Sequence, residues 1–164
     1  MPLAGKSTHS KKLARELGLP YFSTGDYARS MGMGDEPSIK SMDLSERFNG
    51  WIVAKATSFV GGAVGRCIID GFPRSAEQYL IMLEWHYDFK IVFMTANPLV
   101  IFDRLEQRAR AEGRPEDERE VVLGRVRRSV EWRAELKALA GEAFMDISEE
   151  IGYDAIKRRL ECGE

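Results

Sequence analysis

A chain of 164 residues, 44% hydrophobic and 30% charged, is long enough for one compact domain with its own core, and it has none of the compositional bias of a disordered or repetitive chain. Its 24 basic and 26 acidic residues leave a formal charge of −2, which supplies no excess for gripping a nucleic acid. The two cysteines lie far apart and outside any C-x-x-C spacing, and no apolar run approaches the roughly 18 residues of a membrane span, so the expectation is a cytoplasmic protein with no disulfide framework, no thiolate zinc site and no membrane partner.

The first informative residues are Gly5-Lys6-Ser7-Thr8, the second half of the phosphate-loop pattern G-x-x-x-x-G-K-[ST]. They open a helix expected over about residues 8–17, where backbone N–H groups and the positive helix end face a phosphate and Lys6 reaches its outer oxygens. The competing reading is a Gly-Lys surface turn capped by Ser7 or Thr8. Gly18 and Pro20 stop this helix, and 19–23 is expected as a short strand. The segment 30–40, rich in Gly, Ser and Met, has no clear period and is expected as loop or weak helix. Asp43 followed by Glu46 predicts a helix start, with an apolar stripe of Leu44, Phe48, Trp51, Ile52, Ala56 and Phe59 that ends at Gly61-Gly62. That stripe is expected to be a packed face rather than a ligand stack.

Residues 66–70 form a β-branched run expected as a buried strand, and Ser75 is expected to cap a helix reaching about Leu83. The clearest strand is 90–95, followed by Asn97-Pro98 as N-cap and first helical residue, with Phe102 and Leu105 inward. A long helix over 117–139, a strand over 143–147 and a closing helix with Ile156 and Leu160 inward complete the chain. Helices and strands alternate, which predicts an α/β domain with a parallel sheet. Neither His9 nor His86 has a companion at metal-ligand spacing.

Three motifs carry a resemblance. Asp70-Gly71-Phe72-Pro73-Arg74, with Gln78 four residues after the arginine, resembles the D-G-[FY]-P-R-x-x-x-Q signature of adenylate kinases. Ser23-Thr24-Gly25-Asp26-Tyr27-Ala28-Arg29 is similar to that family's S-T-G-D-x-x-R. Arg104 and Arg108, then Gly113-Arg114 with Glu116-Asp117, then Arg125, match the arginine spacings of its lid region. The resemblance implies a P-loop NTPase-like three-layer α/β/α fold with a parallel sheet of order 2-3-1-4-5. It further implies a core of 1–29, 61–107 and 120–164, a small nucleoside monophosphate-binding insert at 30–60, and a short, zinc-free lid at 108–119.

The implied activity is that of a monomeric nucleoside monophosphate kinase, which reversibly converts ATP and AMP to two ADP with Mg²⁺. Such chemistry spreads negative charge over a moving phosphoryl group, so the site needs converging cations more than a strong base. The resemblance assigns Gly5, Lys6, Ser7, Thr8 and Arg104 to ATP, with Arg104 under the adenine, and Thr24, Arg29, Gly71, Arg74 and Gln78 to the acceptor. Arg29 and Arg74 would hold the acceptor phosphate, while Lys6, Arg74, Arg108, Arg114 and Arg125 would form the catalytic set. Thr8 and Asp70 would hold Mg²⁺, largely through water. Asp26 would orient Arg74 or a phosphate-loop group, or serve only structure. Without the spacing, Arg104, Arg108 and Arg125 would read as solvated face residues, as Arg110, Arg119, Arg127, Arg128 and Arg133 do here.

Thr24 and Gln78 favour adenine as the acceptor base. The stretch between Arg29 and Asp70 is shorter than in typical members and has no G-x-L-V-type segment, which leaves another nucleoside monophosphate, deoxynucleotides included, as an alternative acceptor. A non-catalytic AMP-binding module is a further alternative, whereas a small-metabolite kinase is disfavoured by the paired motifs. Finally, the first glycine of the phosphate-loop pattern would fall one residue ahead of Met1, and no strand precedes Gly5. The expectation is that Met1 is internal to a longer polypeptide; residues 1–164 alone would have a split sheet, low solubility and weak ATP binding.

Overall fold

The computed structural model describes residues 1–32, 46–112, 119–148 and 153–162. Helix α1 (Lys6–Leu17) buries Leu13 and Ala14 and ends at Gly18, whose left-handed φ of 63° lets its N–H return to the Ala14 carbonyl. It starts earlier than the expected residue 8, because Gly5 at φ 82° turns the chain directly into the helix. Strand β1 (Tyr21–Ser23) leads into a helix that periodicity does not foretell, α2 (Thr24–Ser30). Its start is set by the Ser23 hydroxyl, which accepts from the Asp26 N–H at 3.2 Å.

Helix α3 spans Glu46–Gly62. The expected start at Asp43 and Leu44, and most of the expected loop over 30–40, lie outside the described residues. Asn49, Ile52 and Ala56 face inward at 8%, 4% and 0% exposure, whereas Trp51, expected in the stripe, is 42% exposed. The buried line follows i, i+3, i+7 from Asn49, and Trp51 falls off that line. Phe59 is partly buried and stacks on Phe22 of β1, ring centres 5.4 Å apart.

Strand β2 (Ile68–Asp70) pairs in parallel with β1, Tyr21 opposite Ile68 and Ser23 opposite Asp70. Helix α4 (Ala76–Leu83) is capped by Ser75, whose hydroxyl accepts from the Gln78 N–H. Strand β3 (Ile91–Thr95) is followed by α5 (Pro98–Glu112), where the Asn97 side-chain oxygen accepts from the Leu99 N–H at 3.0 Å. Helix α6 (Arg119–Ala140), a short 3₁₀ turn (Gly141–Ala143), strand β4 (Phe144–Ser148) and α7 (Tyr153–Cys162) complete the order. Arg133 of α6, expected as a surface charge, instead pairs with Asp146 of β4.

The sheet is thus a P-loop NTPase-like parallel array in two pairs, β1–β2 and β3–β4; among the described residues β2 and β3 do not pair. The core is correspondingly divided. One part gathers Ala4, Met94, Ile147 and Ile156, another Tyr79, Ile91, Leu136 and Ala140, a third Ile101, Leu105 and Val122, while Ala28 and Ile52 pack apart from these. No helix among the described residues is long and apolar enough to cross a membrane.

Ile147, 0% exposed near the end of β4, anchors the first part. Ile147→Ala is expected to cost about 2–5 kcal/mol through lost burial and the cavity left behind. Loss of the cap in Ser75→Ala should cost only about 1 kcal/mol. Urea denaturation of both variants checks the order; a larger loss for Ser75→Ala would contradict this description of the core.

Candidate functional site

The ends of β1 and β2 and the start of α1 meet at Asp70. Its carboxylate oxygen Oδ2 accepts from the Ser7 hydroxyl at 2.5 Å and from the Tyr21 hydroxyl at 3.0 Å. Strand alternation explains the second contact: Tyr21 and Ser23 point to one face of β1, while Phe22 points to the other and packs on Phe59. Burial beside Asp70 pushes the Tyr21 hydroxyl up to about 12, so it stays a donor. Ser7, rather than Thr8, supplies the hydroxyl at this carboxylate. One residue along a helix rotates the side chain by about 100°, which takes Thr8 to another face.

Gly71 follows at φ 85°, and a Cβ there would lie 2.6 Å from both Arg74 Nη2 and Thr24 Oγ1, so only glycine leaves those groups in place. The Thr24 hydroxyl lies 3.2 Å from the Asp70 carbonyl and 3.0 Å from that of Gly71, and Arg74 Nη2 donates to the Thr24 oxygen at 3.2 Å. Arg74 Nε donates to the Gly71 carbonyl at 2.6 Å. The guanidinium is therefore held on two sides before any ligand arrives. Burial lowers its pKa, Asp70 opposes that, and the nearby Arg29 adds to it.

Gln78, 0% exposed, accepts from the Arg74 backbone N–H at 2.7 Å through Oε1 and donates to Asn49 Oδ1 at 2.8 Å. Asn49 in turn donates to Glu77 at 3.0 Å. Asn49 and Tyr21 are thus site residues that motif reading missed. A polar residue on the inward line of an amphipathic helix, and a tyrosine on the Ser23 face of β1, were the available signals.

Arg29 Nη2 donates to Asp26 at 2.5 Å, and Lys11 pairs with the other oxygen of Asp26 at 3.1 Å. Of the roles expected for Asp26, orienting Arg74 is therefore not the one seen; it holds Arg29. Arg104 Nη1 donates to the Leu3 carbonyl at 2.8 Å, which ties α5 to the entry of the phosphate loop. His9 stacks on Tyr153, ring centres 6.0 Å apart, in a packing role.

One cavity of about 1090 Å³ is lined by Lys6, Ser7 and Thr8 of α1, by Thr24, Arg29, Asp70, Gly71, Arg74 and Gln78, and by Arg104, Arg108 and Arg125 of α5 and α6. Arg114 lies outside the described residues. Lys6 donates to the Met1 carbonyl at 2.6 Å, and burial depresses its pKa to about 8. Asp70 works against that shift, whereas Arg74, Arg108 and Arg125 reinforce it, which places all four cations within electrostatic reach of one another. Such convergence suits a polyanion. The oxygen pair of Ser7 and Asp70 also fits magnesium, a hard cation that takes one or two protein oxygens and completes its shell with water and phosphate. Among the described residues no three of His, Cys, Asp and Glu are grouped as a metal site.

A family model described as an AAA domain matches residues 1–123. An adenylate kinase of Mycobacterium sp. strain MCS is 30% identical over 168 aligned positions, covering 88% of this chain and 89% of that protein. One from Mycolicibacterium paratuberculosis is 31% identical, covering 77% of the chain and 74% of that protein. Another, from Chlamydia caviae, is 29% identical over 65% of the chain; the match spans 56% of that relative's length, and for the Chlamydia felis protein 55%.

The depressed Lys6 pKa gives a pH test. A bound polyphosphate favours the charged ammonium and raises its pKa, so ATP affinity is highest below about 8 and falls as pH rises through that value. Between about pH 7.5 and 9.5, where arginine stays charged, the dissociation constant should rise roughly 20-fold. Calorimetric titration checks this, and Lys6→Met should bind ATP weakly at both pH values with that slope gone. A flat profile in the unsubstituted chain would remove Lys6 from the phosphate site.

Proposed function

The chain belongs to the adenylate kinase family of P-loop kinases, and from that premise we propose that it transfers the terminal phosphoryl group of ATP to AMP, reversibly, giving two ADP. The observation that carries this reading is the convergence of Lys6, Arg74, Arg108 and Arg125 on one cavity beside Asp70. Phosphoryl transfer asks little covalent chemistry of the protein and much positioning and charge stabilisation.

In this mechanism the N–H groups at the start of α1 and the Lys6 ammonium take the outer phosphates of ATP. Arg74, already braced by Gly71 and Thr24, and Arg29, braced by Asp26, take the acceptor phosphate in bidentate fashion. Arg108 and Arg125, joined by Arg114 from the proposed lid at 108–119, neutralise charge on the group in flight and exclude water. Ser7 and Asp70 would hold Mg²⁺, largely through water, and the bound ion would supply charge neutralisation at the phosphates. This departs from the sequence expectation in using Ser7 where Thr8 was named. Arg104 lies beneath the donor base, where its guanidinium stacks. Gln78 keeps one amide proton and one oxygen lone pair for the edge of adenine, since each end of its amide has one partner already.

Arg74→Ala should lower kcat by about 100-fold or more, because its contact strengthens in the transition state, whereas exposed Arg127→Ala should change kcat less than about two-fold. Arg74→Lys, which keeps the charge but not the fork, should recover only part of the loss. Coupled-enzyme assays alongside thermal melts separate catalysis from folding, and equal losses at Arg74 and Arg127 would defeat the assignment.

With ATP as donor, a panel of AMP, dAMP, CMP, UMP and GMP should rank an adenine nucleotide first. A preference for CMP or UMP would overturn the base reading while leaving the kinase reading in place. AMP binding without turnover of any acceptor would instead make the chain a nucleotide-binding module.

A further inference from the structure

We propose that Tyr21 is a positioning residue for the magnesium site: its hydroxyl ties down one oxygen of the Asp70 carboxylate and leaves the other to accept from the water shell of the ion. The inference rests on the kinase reading of that site and adds to it a residue that does not touch the nucleotide. Two donors meet on the same carboxylate oxygen. Ser7 of α1 donates to Asp70 Oδ2 at 2.5 Å and Tyr21 of β1 donates to it at 3.0 Å, whereas Oδ1 has no hydrogen-bond partner among the described residues. Asp70 is 8% exposed and lines the cavity. The terminal torsion of an aspartate is broad, so one donor alone would leave the carboxylate free to turn. A second donor on a separate element removes that freedom and divides the two oxygens, one held by the protein and one left for water. Ser7 gains from the same arrangement: with its proton on Oδ2, its lone pairs stay available to a cation.

The register of the sheet explains why the donor is a tyrosine. Tyr21 lies opposite Ile68 and Ser23 opposite Asp70, so the hydroxyl must reach two residues along the strand, about 6.6 Å at the rise of a parallel strand. Serine, threonine or asparagine at position 21 would stop short. The phenol ring spans that distance as a rigid unit, with few side-chain torsions to order, and it carries its O–H at the far end. Tyr21 itself is not one of the described residues that line the cavity, so whatever it contributes to the site passes through Asp70.

The test is ATP affinity measured calorimetrically in EDTA and in excess Mg²⁺, with the ratio of the two dissociation constants as the readout. Tyr21→Phe removes the hydroxyl and keeps the ring. Its metal-free constant should stay within about two-fold of the unsubstituted value, while the gain from Mg²⁺ should shrink roughly ten-fold, the scale of one hydrogen bond to a charged group. Tyr21→Gln, which brings an N–H donor on a flexible stem, should recover part of that gain. In an Asp70→Asn background the Tyr21→Phe change should leave the ratio unaltered, because the hydroxyl acts through the carboxylate. A ratio that shifts in that background, or that stays unchanged in Tyr21→Phe alone, would overturn the proposal. So would equal losses with and without Mg²⁺, or a Tyr21→Phe chain that no longer melts cooperatively, since either makes the hydroxyl a support of the fold and nothing more. Those outcomes leave the kinase reading in place. That reading fails on a different result, no ATP binding by the unsubstituted chain, and the proposal would then fall with it.

Discussion

A single carboxylate ties the start of α1 to the first two strands. Asp70 closes β2, its Oδ2 holds the first turn of α1 through Ser7 and the start of β1 through Tyr21, and its carbonyl lies within reach of the Thr24 hydroxyl at the start of α2. It is also the negative charge that offsets part of the cost of keeping Lys6 and Arg74 charged out of water. Without it, the same burial and the same like-charge neighbours would push both groups further from their charged forms. Backbone geometry and electrostatics thus depend on one residue, and the glycine after it is needed because the turn leaves no room for a Cβ.

Much of the fold was legible because its punctuation is local. Gly18 ends α1, Ser75 starts α4, and Asn97-Pro98 starts α5, each by a hydrogen bond or backbone angle that its own residue type provides. What periodicity could not show was α2, whose seven residues include a glycine and whose start depends on one serine hydroxyl. One member of the α3 face, Trp51, was misjudged for a related reason. Large aromatics attract the eye, but Trp51 lies off the line that Asn49, Ile52 and Ala56 define, and the polar member of that line is the one joined to Gln78.

The candidate site was legible as a set of residues and much less so as a set of contacts. Motif spacing named Lys6, Asp70, Arg74, Arg108 and Arg125, and all five line the same cavity. Pairings do not follow from spacing. That Asp26 grips Arg29 rather than Arg74, or that Ser7 rather than Thr8 reaches Asp70, depends on helix phase at the level of single residues. Arg133 shows the same limit outside the site, since nothing in the spacing marks Asp146, 13 residues on in β4, as its partner.

One hydrogen bond joins two parts of the proposed acceptor pocket. The Arg74 backbone N–H is held by the Gln78 side chain at 2.7 Å, and the Arg74 guanidinium is braced by the Gly71 carbonyl and the Thr24 hydroxyl. The amide suited to reading a base and the cation suited to gripping a phosphate therefore share one mechanical linkage. On the proposed reading, a base that draws Gln78 out of place would loosen the backbone that carries Arg74, so a poorly matched acceptor would be penalised in turnover as well as in binding. On that reading, selectivity would be a property of the linkage, and Asn49, which steadies Gln78 from α3, would belong to it.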